Sequence, residues 1–143
     1  MGMISSQEKA AALAAVPLFA GISDDSMAHL TEVAGEVEFP AGQFIVRQGQ
    51  VGSGLYVIIH GLARVVRGST EIASLGPGEF FGELSVIDQE PRMASVEAVR
   101  DTRLLAVASW DLLRLLESDP ALAQNLIREL ARRVRSAGEH HHH

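Results

Sequence analysis

Residues 80–98 read Phe-Phe-Gly-Glu-Leu-Ser-Val-Ile-Asp-Gln-Glu-Pro-Arg-Met-Ala-Ser-Val-Glu-Ala, and the character of the whole chain follows from them. Gly82 lets a ligand come close to the backbone. The residues behind it, Glu83-Leu84-Ser85-Val86-Ile87, are expected to make one short helical turn whose unpaired N–H groups attract an anion. Arg92 supplies compensating charge as a planar, two-pronged donor. A carboxylate beside an anion site would repel it, so Glu83 is expected to point sideways and accept hydrogen bonds from sugar hydroxyls. The stretch thus describes a pocket for a small molecule carrying a phosphate and a sugar. Plainer readings exist for both charged residues. Glu83 could be an acid favoured in the first turn of a helix, and Arg92 a surface arginine paired with Asp88 or Glu90.

On either side of this stretch the hydrophobic period is that of strands. Val37 and Phe39 alternate with Glu36 and Glu38, the pattern of a half-buried strand. Phe44 to Val46 continues it after a Pro40-Ala41-Gly42 turn. Leu55-Tyr56-Val57-Ile58-Ile59 is an unbroken apolar run, which implies burial on both faces. Leu62 to Arg67 and Glu71 to Leu75 flank a hairpin turn at Gly68-Ser69-Thr70. Ala94, Val96 and Ala98 alternate with Ser95, Glu97 and Val99, so Ser95 should face away from its neighbours. Leu104 to Ala108 is the last strand. About eight short strands with closely spaced turns predict an antiparallel roll or jelly roll.

Helical signals bracket the strands. Ser5-x-x-Glu8 is a capping box opening an alanine-rich helix that stops before Pro17. Ser23, followed by Asp24 and Asp25, starts a second helix with Met27, Leu30 and Val33 on its buried side. Towards the other end, Ser109 is expected to cap a helix carrying Trp110, Leu113 and Leu116. Asp119-Pro120 is an N-cap followed by proline at the first helical position. Leu122, Leu126, Ile127, Leu130 and Val134 then form an apolar stripe that serves core packing or helix–helix dimerisation. The fold class is therefore α+β, mainly β: an eight-stranded antiparallel β-roll flanked by helices at both ends. Its expected bounds are 5–34 for the first helices, 35–108 for the roll and 109–136 for the last helices, within a domain of residues 3–137. Residues 140–143 read as a purification tag and Met1-Gly2 as a cloning addition.

The composition of 143 residues, 47% hydrophobic and 21% charged, fits one soluble domain. The absence of cysteine removes disulfide and thiolate chemistry and is compatible with a cytoplasmic location. No apolar run approaches the roughly 20 residues needed to span a bilayer, so no membrane role is expected. Net charge is −6. The basic residues concentrate late, at Arg128, Arg132, Arg133 and Arg135. A stripe of Arg128, Arg132 and Arg135 reads as a solvated face with cations near the helix C-terminus rather than a nucleic-acid footprint. Outside the tag only His29 and His60 could serve a metal, in unrelated places, so no metal site is expected. Nucleophile elbow, Walker A and Cys–His signatures are all missing, and the single lysine is Lys9. The chain is read as non-enzymatic.

The central stretch resembles the phosphate-binding cassette of the cyclic nucleotide-binding domain family. That cassette reads Phe-Gly-Glu-Leu-Ala-Leu, a short loop, then Pro-Arg-Ala-Ala-Thr-Val. It stands here as Phe81-Gly82-Glu83-Leu84-Ser85-Val86 and Pro91-Arg92-Met93-Ala94-Ser95-Val96. The nine-residue step from Glu83 to Arg92 is that of the family's kinase regulatory subunits. The resemblance covers nearly all of residues 6–136 and implies the same order of helices, roll and helices. It further implies a 3′,5′-cyclic nucleotide as regulatory ligand, without other cofactors, held by Gly82, Glu83, Leu84, Ser85, Arg92, Met93 and Ala94. Gly82, Leu84 and Ser85 would offer N–H groups to the phosphate, and Glu83 would hold the ribose 2′-hydroxyl. In the family a hydroxyl residue directly after the arginine is associated with guanine recognition. Met93 stands there, so cAMP is expected over cGMP.

The positions that contact adenine in the family's bacterial activators would fall at Ala137 and Gly138, which offer no such side chains. The base lid is therefore expected from Leu130 or Val134, from a second subunit, or from sequence not present. Val86 is the expected apolar lever of a relay through the C-terminal helices. A homodimer through the last helix, a sensor half of a Crp/Fnr-type regulator without its DNA-binding part, and an interaction domain that binds no nucleotide all remain compatible with the residues.

Overall fold

The computed structural model describes residues 4–51, 54–82 and 90–141, with side chains described as far as residue 136. The chain opens with helix α1 (Ser6–Ala14), entered through the expected capping box. The Ser5 hydroxyl accepts the Glu8 N–H at 3.1 Å, and the Ser5 N–H donates to Glu8 Oε1 at 3.2 Å. Proline at position 17 cannot extend α1, and Pro17–Phe19 instead forms a 3-10 turn that buries Leu18 and Phe19. Helix α2 (Asp24–Val33) starts where the Ser23 hydroxyl accepts the Ser26 N–H. Its far end is closed by Lys9, whose Nζ donates to the Ala34 carbonyl at 2.7 Å.

Eight strands follow among the described residues: β1 (Gly35–Phe39), β2 (Phe44–Val46), β3 (Gly54–His60), β4 (Ala63–Arg67), β5 (Thr70–Leu75), β6 (Phe80–Phe81), β7 (Ser95–Ala98) and β8 (Thr102–Ala108). They form two antiparallel four-stranded sheets, ordered β1-β8-β3-β6 and β2-β7-β4-β5. The roll expected from strand periodicity is thus present. The β4–β5 turn is tighter than expected, because Arg67 pairs with Thr70 and leaves Gly68 and Ser69 as its two central residues.

The first sheet is covered on both faces, which explains the unbroken apolar run in β3. Leu55 and Val57 point into a core shared with the helices, together with Leu105, Val107, Leu13, Phe19 and Leu30. Ile58 points the other way, into a core between the sheets with Leu104, Val96 and Phe81. Each such side chain contributes roughly 1.5–3 kcal/mol when fully buried. The same double cover changes the reading of β1. Glu36 lies opposite Leu105, whose side chain belongs to the helix-side core, so its carboxylate is nearly buried rather than solvated. It accepts the Ile4 N–H at 2.9 Å and lies 3.1 Å from Arg103 Nε, tying the start of the chain to the sheet.

Two helices close the chain, α3 (Ser109–Ser118) and α4 (Pro120–His141). The expected α3 stripe is displaced by one or two positions. Ser109 is a buried first residue of the helix without a side-chain cap bond, and the inward face is Leu112 and Leu115. Trp110 is 66% exposed, and Leu113 and Leu116 only flank the core. Asp119 caps α4 as expected, with Oδ1 accepting the Ala121 N–H at 3.1 Å. Its other oxygen accepts the Ser23 N–H at 3.0 Å, so one buried carboxylate holds the starts of both α4 and α2. Asn125 adds two bonds, from Nδ2 to the carbonyls of Leu18 and Ala20. The first half of α4 is thereby fastened to the 3-10 turn. Along the α4 stripe, Leu122 and Leu126 are buried and Leu130 is partly so, while Ile127 and Val134 are 66% and 71% exposed. No described helix is long and apolar enough to cross a membrane.

Candidate ligand-binding site

A cavity of about 390 Å³ opens between the second sheet, β6, the segment after residue 89 and α4. Its apolar wall is Val46, Val65, Ala73, Leu75, Phe80, Phe81 and Val96. Gly82, Glu90, Pro91, Arg92, Met93, Ala94 and Arg133 complete the lining. Alternation along the chain decides which of residues 94–96 face it. Ala94 and Val96 line the cavity, whereas Ser95 turns its hydroxyl to the Gln48 N–H at 2.8 Å.

Arg92 is 9% exposed, which removes the reading of a surface arginine. Its Nη2 donates to the Gly54 carbonyl at 3.2 Å. Burying a guanidinium is costly unless it is hydrogen-bonded and matched to a negative partner. A fixed, two-pronged cation at the edge of an apolar cavity is an arrangement that takes up an oxyanion. Gly82 has φ +100°, and a β-carbon there would stand 2.5 Å from the Gly54 oxygen and 3.0 Å from Arg92 Nη1. A side chain at position 82 would therefore occupy the space beside the guanidinium. Tyr56 and Phe81 stack at a centroid separation of 5.2 Å under this corner.

Of the site residues read from the sequence, Gly82, Arg92, Met93 and Ala94 meet at the cavity. Met93 is 64% exposed, a rim position. Glu83, Leu84 and Ser85, and with them Val86 and Asp88, lie outside the described residues. Leu130 and Val134, one of the three sources expected for a lid, are not among the residues lining the cavity. Leu130 packs toward the helical core and Val134 faces outward. Among the described side chains of α4, Arg133 reaches the cavity, and its guanidinium lies 5.6 Å from the centroid of the Phe80 ring. Glu129, one helical turn earlier, orients it through Nε at 3.3 Å. Sequence reading grouped Arg133 with the other late arginines. The signal available was its place off the Arg128–Arg132–Arg135 stripe, four residues after an acid.

A two-sheet roll holding an apolar cavity lined by a buried arginine has the chemistry to hold a small anionic ligand, and comparison with known proteins supplies the family. The model of the cyclic nucleotide-binding domain matches residues 36–119. The chain belongs to that family. It is 40% identical over 126 residues to the cyclic AMP receptor protein of Thermus thermophilus, covering 85% of this chain and 58% of that one. It is 31% identical over 128 residues to a CRP-like cAMP-activated global transcriptional regulator of Mycobacterium tuberculosis, covering 86% and 57%. The crystal structure of the Thermus thermophilus catabolite activator protein superposes with a TM-score of 0.78 at 40% identity, covering 87% of this chain and 61% of the other. The chain thus spans somewhat more than half the length of these relatives.

Proposed function

We propose that this chain is a non-enzymatic sensor domain that binds a 3′,5′-cyclic nucleotide, cAMP in preference to cGMP, and relays binding through α3 and α4. The observation that carries the reading is the buried guanidinium of Arg92, held against Gly54 at the mouth of an apolar cavity of nucleotide size. The cyclic phosphate meets Arg92 and the N–H groups of Gly82, Leu84 and Ser85, and the base lies along the apolar wall beneath Arg133. Glu83 takes the ribose 2′-hydroxyl, a role assigned on its place in the cassette sequence. Met93 offers guanine no hydroxyl, which favours adenine. The exposed Ile127 and Val134, seven residues apart on α4, support a second copy of the chain as partner, packed helix against helix.

What supports the relay is how α4 is attached. Its first half is fastened to α2 and the 3-10 turn, while Arg133 further along reaches the cavity. A ligand that draws Arg133 inward favours one arrangement of α4 over the other, which is the condition for a shift in population. The test is thermal unfolding with cAMP, cGMP and AMP. A ligand at 100 times its dissociation constant adds about 2.7 kcal/mol. The largest rise in melting temperature is expected with cAMP, a smaller one with cGMP and none with AMP. Equal melting temperatures in all samples would instead favour an interaction domain of this fold that binds no nucleotide.

A further inference from the structure

Arg92 is held by more than the carbonyl of Gly54. Its main chain is gripped on both sides by the turn that follows β2. The Gly49 N–H donates to the Arg92 carbonyl at 2.8 Å, and the Arg92 N–H donates to the Gln50 carbonyl at 2.8 Å. A single bridge between Val51 and Pro91 continues the pairing. Gly49 meets this geometry at φ +85°, a conformation that side chains other than glycine's rarely adopt. The backbone of Arg92 therefore takes its position from the turn at residues 47–51, and its guanidinium from Gly54 at the start of β3.

That loop is in turn fixed by two polar side chains outside the cavity. Ser95 Oγ accepts the Gln48 N–H at 2.8 Å, and Gln48 Oε1 accepts the Gly68 N–H at 2.9 Å. The second bond reaches the tip of the β4–β5 hairpin, whose Val65, Ala73 and Leu75 form part of the apolar wall. Neither Gln48 nor Ser95 lines the cavity. From this chain of contacts we infer that Gln48 and Ser95 are positioning residues for Arg92. They set the turn that places its backbone, and with it the guanidinium, and tie that placement to the hairpin wall. The inference rests on the reading of Arg92 as the phosphate-binding residue.

The experiment is a double-mutant cycle read by calorimetric titration with cAMP. Gln48→Ala and Ser95→Ala should each weaken binding about three- to tenfold, the scale of one hydrogen bond. In an Arg92→Ala background the same substitutions should add almost nothing, because there is no guanidinium left to misplace. Two conservative pairs guard against loss of folding. Ser95→Thr keeps the hydroxyl and Ser95→Val replaces it with a methyl, so affinity should survive in the first and fall in the second. Gln48→Glu keeps an acceptor for the Gly68 N–H and should stay within about twofold of the parent chain. A merely structural role would lower the melting temperature and leave affinity unchanged, which overturns the inference. So would equal losses with and without Arg92. If the unsubstituted chain binds neither cAMP nor cGMP, the functional reading itself is overturned, and this inference with it.

Discussion

Gly82 and Arg92 share one oxygen, the carbonyl of Gly54: the arginine donates to it, and a β-carbon on the glycine would collide with it. Replacing Gly82 by alanine therefore strains the backbone at φ +100° and pushes the guanidinium off its acceptor. The expected cost is about 1–3 kcal/mol in stability, together with at least a tenfold loss of cyclic nucleotide affinity. Urea unfolding and calorimetry on the same sample measure both. Unchanged affinity in a destabilised Gly82→Ala chain would separate the glycine from the site.

Removing the cation should be more damaging to binding than to folding. Truncating one partner of a buried charge pair costs roughly 2–5 kcal/mol, so Arg92→Ala should weaken cAMP binding by at least about 30-fold. In the free chain the loss of the Gly54 bond should cost roughly 1.5 kcal/mol, the scale of one hydrogen bond to a charged group. Arg92→Lys keeps the charge and loses the two-pronged geometry, and should fall between the two.

Arg133 tests the lid. Its position over the Phe80 ring corresponds to a cation–π contact of about 0.5–2 kcal/mol. Arg133→Ala is expected to lower affinity for cAMP severalfold, less than Arg92→Ala does, and to lower the melting temperature of the free chain by the small amount that this contact supports. An effect as large as that of Arg92→Ala would mean that Arg133 also meets the phosphate.

Asp119 predicts an acid response. The Ser26 hydroxyl, and after it the Ser23 N–H, hold its carboxyl below the ordinary value of 3.8. The unfolded chain then takes up the proton more readily than the folded one. The stabilisation is complete above the unfolded value and fades as pH falls through the folded one. Asp119→Asn keeps a cap but loses the charge that strengthens its hydrogen bonds, which should cost about 1 kcal/mol at neutral pH, and its deficit against the parent chain should shrink as the pH is taken below 3.8. Melting curves across that range decide; a deficit that does not change with pH would exclude the charge as its origin.

The exposed stripe on α4 predicts association. Ile127→Ser with Val134→Ser should shift the chain from dimer to monomer in sedimentation equilibrium, with little change in melting temperature, because neither side chain is buried in the single chain. A parent chain that sediments as a monomer at all concentrations would remove the partner proposed for this helix.

The sequence was informative wherever a local rule determined the outcome. Capping chemistry announced the starts of α1, α2 and α4 at Ser5, Ser23 and Asp119, and the run Leu55–Ile59 announced a strand buried on both sides. The cassette residues Gly82, Arg92, Met93 and Ala94 do gather at one cavity. Legibility ended where tertiary neighbours decide. Trp110, Leu113 and Leu116 form as good a stripe as Leu112 and Leu115, and only the direction in which β8 enters α3 chooses between them. Glu36 was read as solvated because alternation cannot tell that a second layer covers that face. Arg133 looked like one more basic residue until the path of α4 carried it to the cavity.

The placement of Trp110 has a practical result. It is the sole tryptophan of the chain, stands in water on the first turn of α3, and is not among the residues that line the cavity. Its emission is therefore an intrinsic optical gauge of the C-terminal segment, free of quenching by a base stacked against it. Mixing the unlabelled chain with ligand in a stopped-flow fluorimeter would test whether binding is felt at α3, and how fast.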